Sequence, residues 1–75
     1  MIPDDLPRRF RLIRAVDVTG PSGTGHVADG VLWPDDTATV HWRGERVSNV
    51  HWTGGLADVE AVHGHGGLTT VEWID

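Results

Sequence analysis

A chain of 75 residues makes one domain at most, and a domain of this size buries only roughly 60 % of the surface its unfolded chain exposes. It holds no cysteine, which excludes disulfides and Cys-type zinc sites; dense aromatic packing, a metal held by histidines and carboxylates, or oligomerisation must supply the stability. The formal net charge is −5 and every cation is an arginine, which speaks against non-specific nucleic-acid binding as the main role.

Residues 1–9 carry two prolines, two aspartates and two arginines, and are expected to form a loosely held arm before a single domain over residues 10–75. Phe10 to Val18 reads as a strand: Phe10, Leu12, Val16 and Val18 share one face, interrupted by Arg14. Residues 19–25 are glycine-rich loop. His26 to Trp33 is the second strand, with Gly30 marking a bulge. Pro34-Asp35-Asp36 signals a turn. Thr37 to Trp42 follows, with Ala38, Val40 and Trp42 inward. Val47 to Trp52 is the fourth strand. Leu56 to His63 has the one helical spacing, about two turns, and the glycines after His63 stop it. Thr69 to Ile74 closes the series, with Val71 and Trp73 inward.

All four tryptophans end a Val-x-Trp tripeptide, at Trp33, Trp42, Trp52 and Trp73. Residues two apart on a strand share a face, so each tripeptide presents a branched aliphatic and an indole to one side. Five short strands joined by tight turns favour antiparallel pairing. The expected fold is all-β: a five-stranded SH3-like small barrel, with one short helical turn before the last strand and the indoles in a shared interior.

The runs Ser22-Gly23-Thr24-Gly25, Ala28-Asp29-Gly30, Val40-His41-Trp42-Arg43-Gly44 and Val62-His63-Gly64-His65-Gly66-Gly67, with Thr69 and Trp73, resemble a family of short proteins of haloarchaea, actinobacteria and their tailed viruses. The likeness spans Arg9 to Asp75. It implies a stand-alone small domain carried on mobile elements. It brings no catalytic residue with it.

His41, His51 and Glu72 are the middle residues of three Val-x-Trp tripeptides. With the indoles inward, they face out on one surface; in register, two histidines and a carboxylate would make a facial metal site. Against this, outward barrel positions are polar in any case, and closure scatters them around the wall. His63-Gly64-His65 offers a second metal pair, since Gly64 lets two imidazoles turn toward one ion; the competing reading is a helix end where His63 bonds the last carbonyls. The loop at residues 20–25 fails as a phosphate loop, having no Gly-Lys-Ser/Thr and no following helix. Arg8, Arg9, Arg11 and Arg14 cluster near the N-terminus and are expected to pair with acids of the barrel wall or of a partner protein. A basic groove for single-stranded nucleic acid is the other reading of that cluster.

No hydroxyl is placed beside a histidine by the sequence, so no catalytic constellation is legible and no enzyme is expected. No cofactor is expected either. No run is long and apolar enough for a secretory signal or a membrane span. The expectation is a non-enzymatic interaction module, cytoplasmic or built into a virus particle, that binds a protein partner or itself. A histidine-based metal protein and a nucleic-acid-binding barrel are the alternatives.

Overall fold

The computed structural model describes residues 5–15, 24–44, 46–64, 67 and 69–75. Its elements are β1 (Arg8–Arg14), β2 (Gly25–Leu32), β3 (Ala38–Trp42), β4 (Ser48–Trp52), α1 (Gly55–His63) and β5 (Thr69–Trp73). Arg8 and Arg9, expected in the arm, are the first residues of β1. Val16, Val18 and residues 19–23 of the first loop lie outside the described residues.

The strands form one antiparallel sheet in the order β4-β3-β2-β1-β5. The closure expected of a barrel is not formed. β4 and β5 are opposite edges, and α1 connects them by running over one face and packing against β3, β4 and β5. A helix laid across that face screens it from water without any strand having to pair across the opening.

Direct cross-strand partners share a face, so the register defines an inner, helix-covered side. It carries Phe10, Leu12 and Arg14, then Ala28, Gly30 and Leu32, then Ala38, Val40 and Trp42, with Val50, Trp52, Val71 and Trp73 on the edges. The bulge lies opposite the junction of Leu12 and Ile13 rather than at Gly30. It buries Val27 and Ala28 side by side. Gly30 instead makes room for an aromatic ring, since a Cβ there would overlap the Phe10 side chain that lies across its backbone.

The core consists of Phe10, Leu12, Val27, Ala28, Ala38, Val40 and the helix residue Val59. The indoles surround it instead of filling it. Trp42 and Trp52 are half-buried and hold His63 between them, with ring centroids 4.6 and 5.6 Å away. Trp73 meets Phe10 edge-to-face at 5.6 Å and is 38 % exposed. Trp33 corrects the expected sidedness. Gly30 and Leu32 face inward, so Val31 and Trp33 face outward, where Trp33 Nε1 donates to Thr39 Oγ1 at 2.8 Å.

The turn between β2 and β3 has the three-residue hairpin form. Asp36 N bonds Trp33 O at 3.0 Å and Trp33 N bonds Thr37 O at 2.8 Å. Asp36 takes the left-handed conformation at φ 68 that this loop requires.

Candidate interaction surface

The face of the sheet away from α1 carries two rows of side chains. One crosses all five strands as Glu72, Arg11, Asp29, His41 and Asn49. Arg11 Nε donates to Glu72 Oε1 at 2.7 Å. Asp29 is a hub, taking Arg43 Nε at 2.8 Å on one oxygen and His26 Nε2 at 2.7 Å on the other. His41 Nδ1 lies 2.6 Å from Asn49 Oδ1. The second row holds Arg9, Val31, Thr39 and His51, with Thr39 Oγ1 2.9 Å from His51 Nδ1. Between the rows is a shallow hollow of about 340 Å³, its lining including Val31, Ile74, Arg9, Asp29, Thr39 and His41.

Hydrogen bonds, from charged partners at two of the three positions, lower the pKa of three carboxyls. Asp75 is held down to about 2, chiefly by the Arg9 side chain, which donates to it at 2.8 and 2.6 Å, and further by the Arg9 backbone amide. Asp29 is lowered first by its hydrogen bond from Arg43, with His26 adding to it. Asp35 is lowered by the Thr37 hydroxyl at 2.6 Å and the Thr37 amide. The Arg9 guanidinium is raised by the same Asp75 contacts.

The residues expected at sites fall as follows. His41, His51 and Glu72 do share the outer face, all exposed. His41 and His51 are on adjacent strands, but Glu72 is three strand spacings from His41, about 14 Å. Among the described residues no three His, Asp or Glu side chains gather closely enough to hold a metal. His63 ends α1 between two indoles, and His65 lies outside the described residues.

The four arginines go to three different kinds of environment. Arg9 and Arg11 pair with Asp75 and Glu72 of the same sheet. Arg8 stacks over Trp73, 4.0 Å from the ring centroid. Arg14 is buried and donates to Thr69 Oγ1 at 3.1 Å. They make no common basic groove.

Sequence patterning does not single out Asp29, Asp75 or the backbone edge of β5. Ile74 N bonds Arg9 O, and antiparallel ladders alternate. Glu72 and Thr70 therefore turn their amides to β1, while Val71 and Trp73 turn theirs to the open side. Thr69 is on that side too, and its amide is taken by Gly64 O at 3.0 Å. Beside this edge runs a groove of about 520 Å³ between β5 and the end of α1, its lining including Glu60, Gly64, Gly67, Val71 and Trp73. Edge availability depends on strand order, which no local pattern encodes.

No helix among the described residues is long and apolar enough to cross a membrane. No curated protein and no solved structure matches the chain. A family model described as Acb5 phage protein matches residues 7–75, nearly the full length of the sequence. By that match the chain belongs to the Acb5 phage protein family.

Proposed function

We propose that this phage protein is a non-enzymatic interaction module that associates by strand addition at β5, with a second copy of the chain as occupant. The observation that carries the reading is the backbone of Val71 and Trp73 beside the groove, whose amides face away from β1 and have no partner strand among the described residues. An antiparallel copy centred on Val71 sets Val71 against Val71, Thr70 against Glu72 and Thr69 against Trp73, so no like charges oppose each other. Both glutamates are already neutralised within their own sheets by Arg11. Pairing would remove one exposed edge from each sheet and shelter Trp73 and Ile74, which are 38 % and 49 % exposed. For so small a domain, association would also add to a marginal core. The barrel architecture read from the sequence fits the same picture only in a looser form, as a curled sheet completed by a partner strand.

The outer face gives a second protein-binding reading, because its hollow sets Val31 and Ile74 inside a polar rim. The virion or host-cytoplasm setting goes with the phage family, and the lysine-free acidic composition suits a salt-rich cell.

Light scattering at known concentration tests the leading reading. The wild-type chain is expected to run at twice the mass of one chain. Val71→Pro deletes an outward amide and keeps the ladder bonds to β1, while trimming a half-buried side chain at the core margin, so it is expected to be a folded monomer of somewhat lower stability. Thr70→Pro removes a ladder bond to β1 and is expected to unfold the strand. A wild-type chain that stays monomeric at millimolar concentration overturns self-pairing.

A further inference from the structure

We propose that His41 and His51 form a two-imidazole site for a divalent transition-metal ion, zinc or copper, on the outer face of β3 and β4. Arg43 N bonds Val27 O and Trp33 N bonds Thr37 O, so in the alternating ladder Thr39 and His41 turn their backbone groups to β2. Toward β4 the pairs Thr39–His51 and His41–Asn49 are therefore of the non-hydrogen-bonded kind, in which side chains stand closer. His41 and His51 are diagonal neighbours across these two pairs. Diagonal partners lie roughly 7–8 Å apart, less at Cβ, within reach of aromatic side chains. An ion about 2.0–2.1 Å from each imidazole nitrogen can join two rings so placed. Both histidines are exposed, so an ion reaches them from solvent.

The neighbours hold each ring in its ligating form. His41 Nδ1 is 2.6 Å from Asn49 Oδ1, and an amide oxygen only accepts, so Nδ1 carries the proton and Nε2 the lone pair. His51 Nδ1 is 2.9 Å from Thr39 Oγ1. That hydroxyl accepts from Trp33 Nε1 and keeps a second lone pair for the His51 Nδ1–H. Neither Nε2 has a hydrogen-bond partner among the described residues. Ligating histidines are oriented in this way, with the second ring nitrogen tied to an oxygen. Asp35, whose carboxyl is lowered chiefly by its Thr37 bonds and also by His51, adds negative potential beside that ring. Asp29 stands opposite His41 on β2 but is taken by Arg43 and His26, so it stays out of the shell. Two imidazoles are the protein's share, and water completes the coordination. The site depends neither on strand pairing at β5 nor on Glu72.

The test is calorimetric titration of the full chain, without a histidine tag, with zinc chloride and, separately, copper(II) chloride, against magnesium chloride. Saturable binding of zinc and copper is expected, copper the tighter by about tenfold or more, with no binding of magnesium. His41→Gln and His51→Gln are each expected to weaken both ions by about tenfold or more, and Asn49→Ala to weaken them severalfold. Glu72→Gln and His65→Gln are expected to bind as the wild type does, which separates this pair from the other histidine and carboxylate candidates. Electron paramagnetic resonance of the copper complex gives a readout independent of stability: coupling to two imidazole nitrogens in the wild type and to one in each single variant. The proposal is overturned if neither zinc nor copper binds the wild type, or if the double variant His41→Gln, His51→Gln keeps wild-type affinity.

Discussion

Gly30 and Phe10 show how one missing side chain places the core. The Phe10 ring is fully buried and crosses the strand pair at Gly30, where a β-carbon would occupy the space of the ring. Gly30→Ala is expected to destabilise by about 1–3 kcal/mol through overpacking, read as a lower urea midpoint with unchanged slope. The sequence shows the glycine but not its reason, since Phe10 is twenty positions away and meets it only through the β1–β2 register. Arg14 is visible in the sequence as an interruption in an apolar alternation; its burial against Thr69 is not, because that contact needs β5. Charge acts at the same scale. A carboxyl whose pKa is lower folded than unfolded stabilises the fold above its unfolded pKa, and that contribution vanishes as pH falls through the folded value. For Asp75 the window runs from its ordinary 3.8 down to about 2. The melting temperature of the wild type is therefore expected to fall more steeply across that window than that of Asp75→Asn, whose curve is lower at pH 6 and flatter below pH 4. Parallel curves would refute the Arg9–Asp75 contribution.

Alternation makes the faces of β3, β4 and β5 legible: Ala38, Val40, Trp42, Trp52, Val71 and Trp73 all lie on the expected side. It fails in β2, because Trp33 already belongs to the turn and the parity there is set by Ala28, Gly30 and Leu32. The hairpin itself is announced by Pro34-Asp35-Asp36, and its geometry explains each residue. Pro34 presets the first turn position, Asp35 caps Thr37 with its carboxylate, and Asp36 accepts positive φ. Positive φ is mildly strained for any residue with a β-carbon. Asp36→Gly is therefore expected to be neutral to stabilising, by up to about 1 kcal/mol, checked by urea titration. A loss above that amount would show that the Asp36 side chain has a role beyond its backbone angle.

Strand order governs what the whole molecule offers. The tripeptide pattern correctly places His41, His51 and Glu72 on one surface, yet their separation follows from β2 and β1 standing between β3 and β5. Among the described residues the same order leaves β4 and β5 without outer neighbours. β5 is tied to the sheet by β1 alone, and on its far side the amides of Val71 and Trp73 meet the groove. Protection from hydrogen exchange reports this directly. At concentrations where light scattering reads one chain, Val71 and Trp73 amides are expected to exchange fast while Glu72 and Thr70, bonded to β1, exchange at the rate set by opening of the sheet. The proposed pairing predicts that at concentrations where light scattering reads twice that mass the first pair slows by the extent of association, and that Val71→Pro leaves Trp73 fast at every concentration. The amides of Asn49 and His51, on the free side of β4, provide the control, since pairing through β5 leaves them unchanged. Slowing at β4 instead of β5 would assign the association to the opposite edge of the sheet.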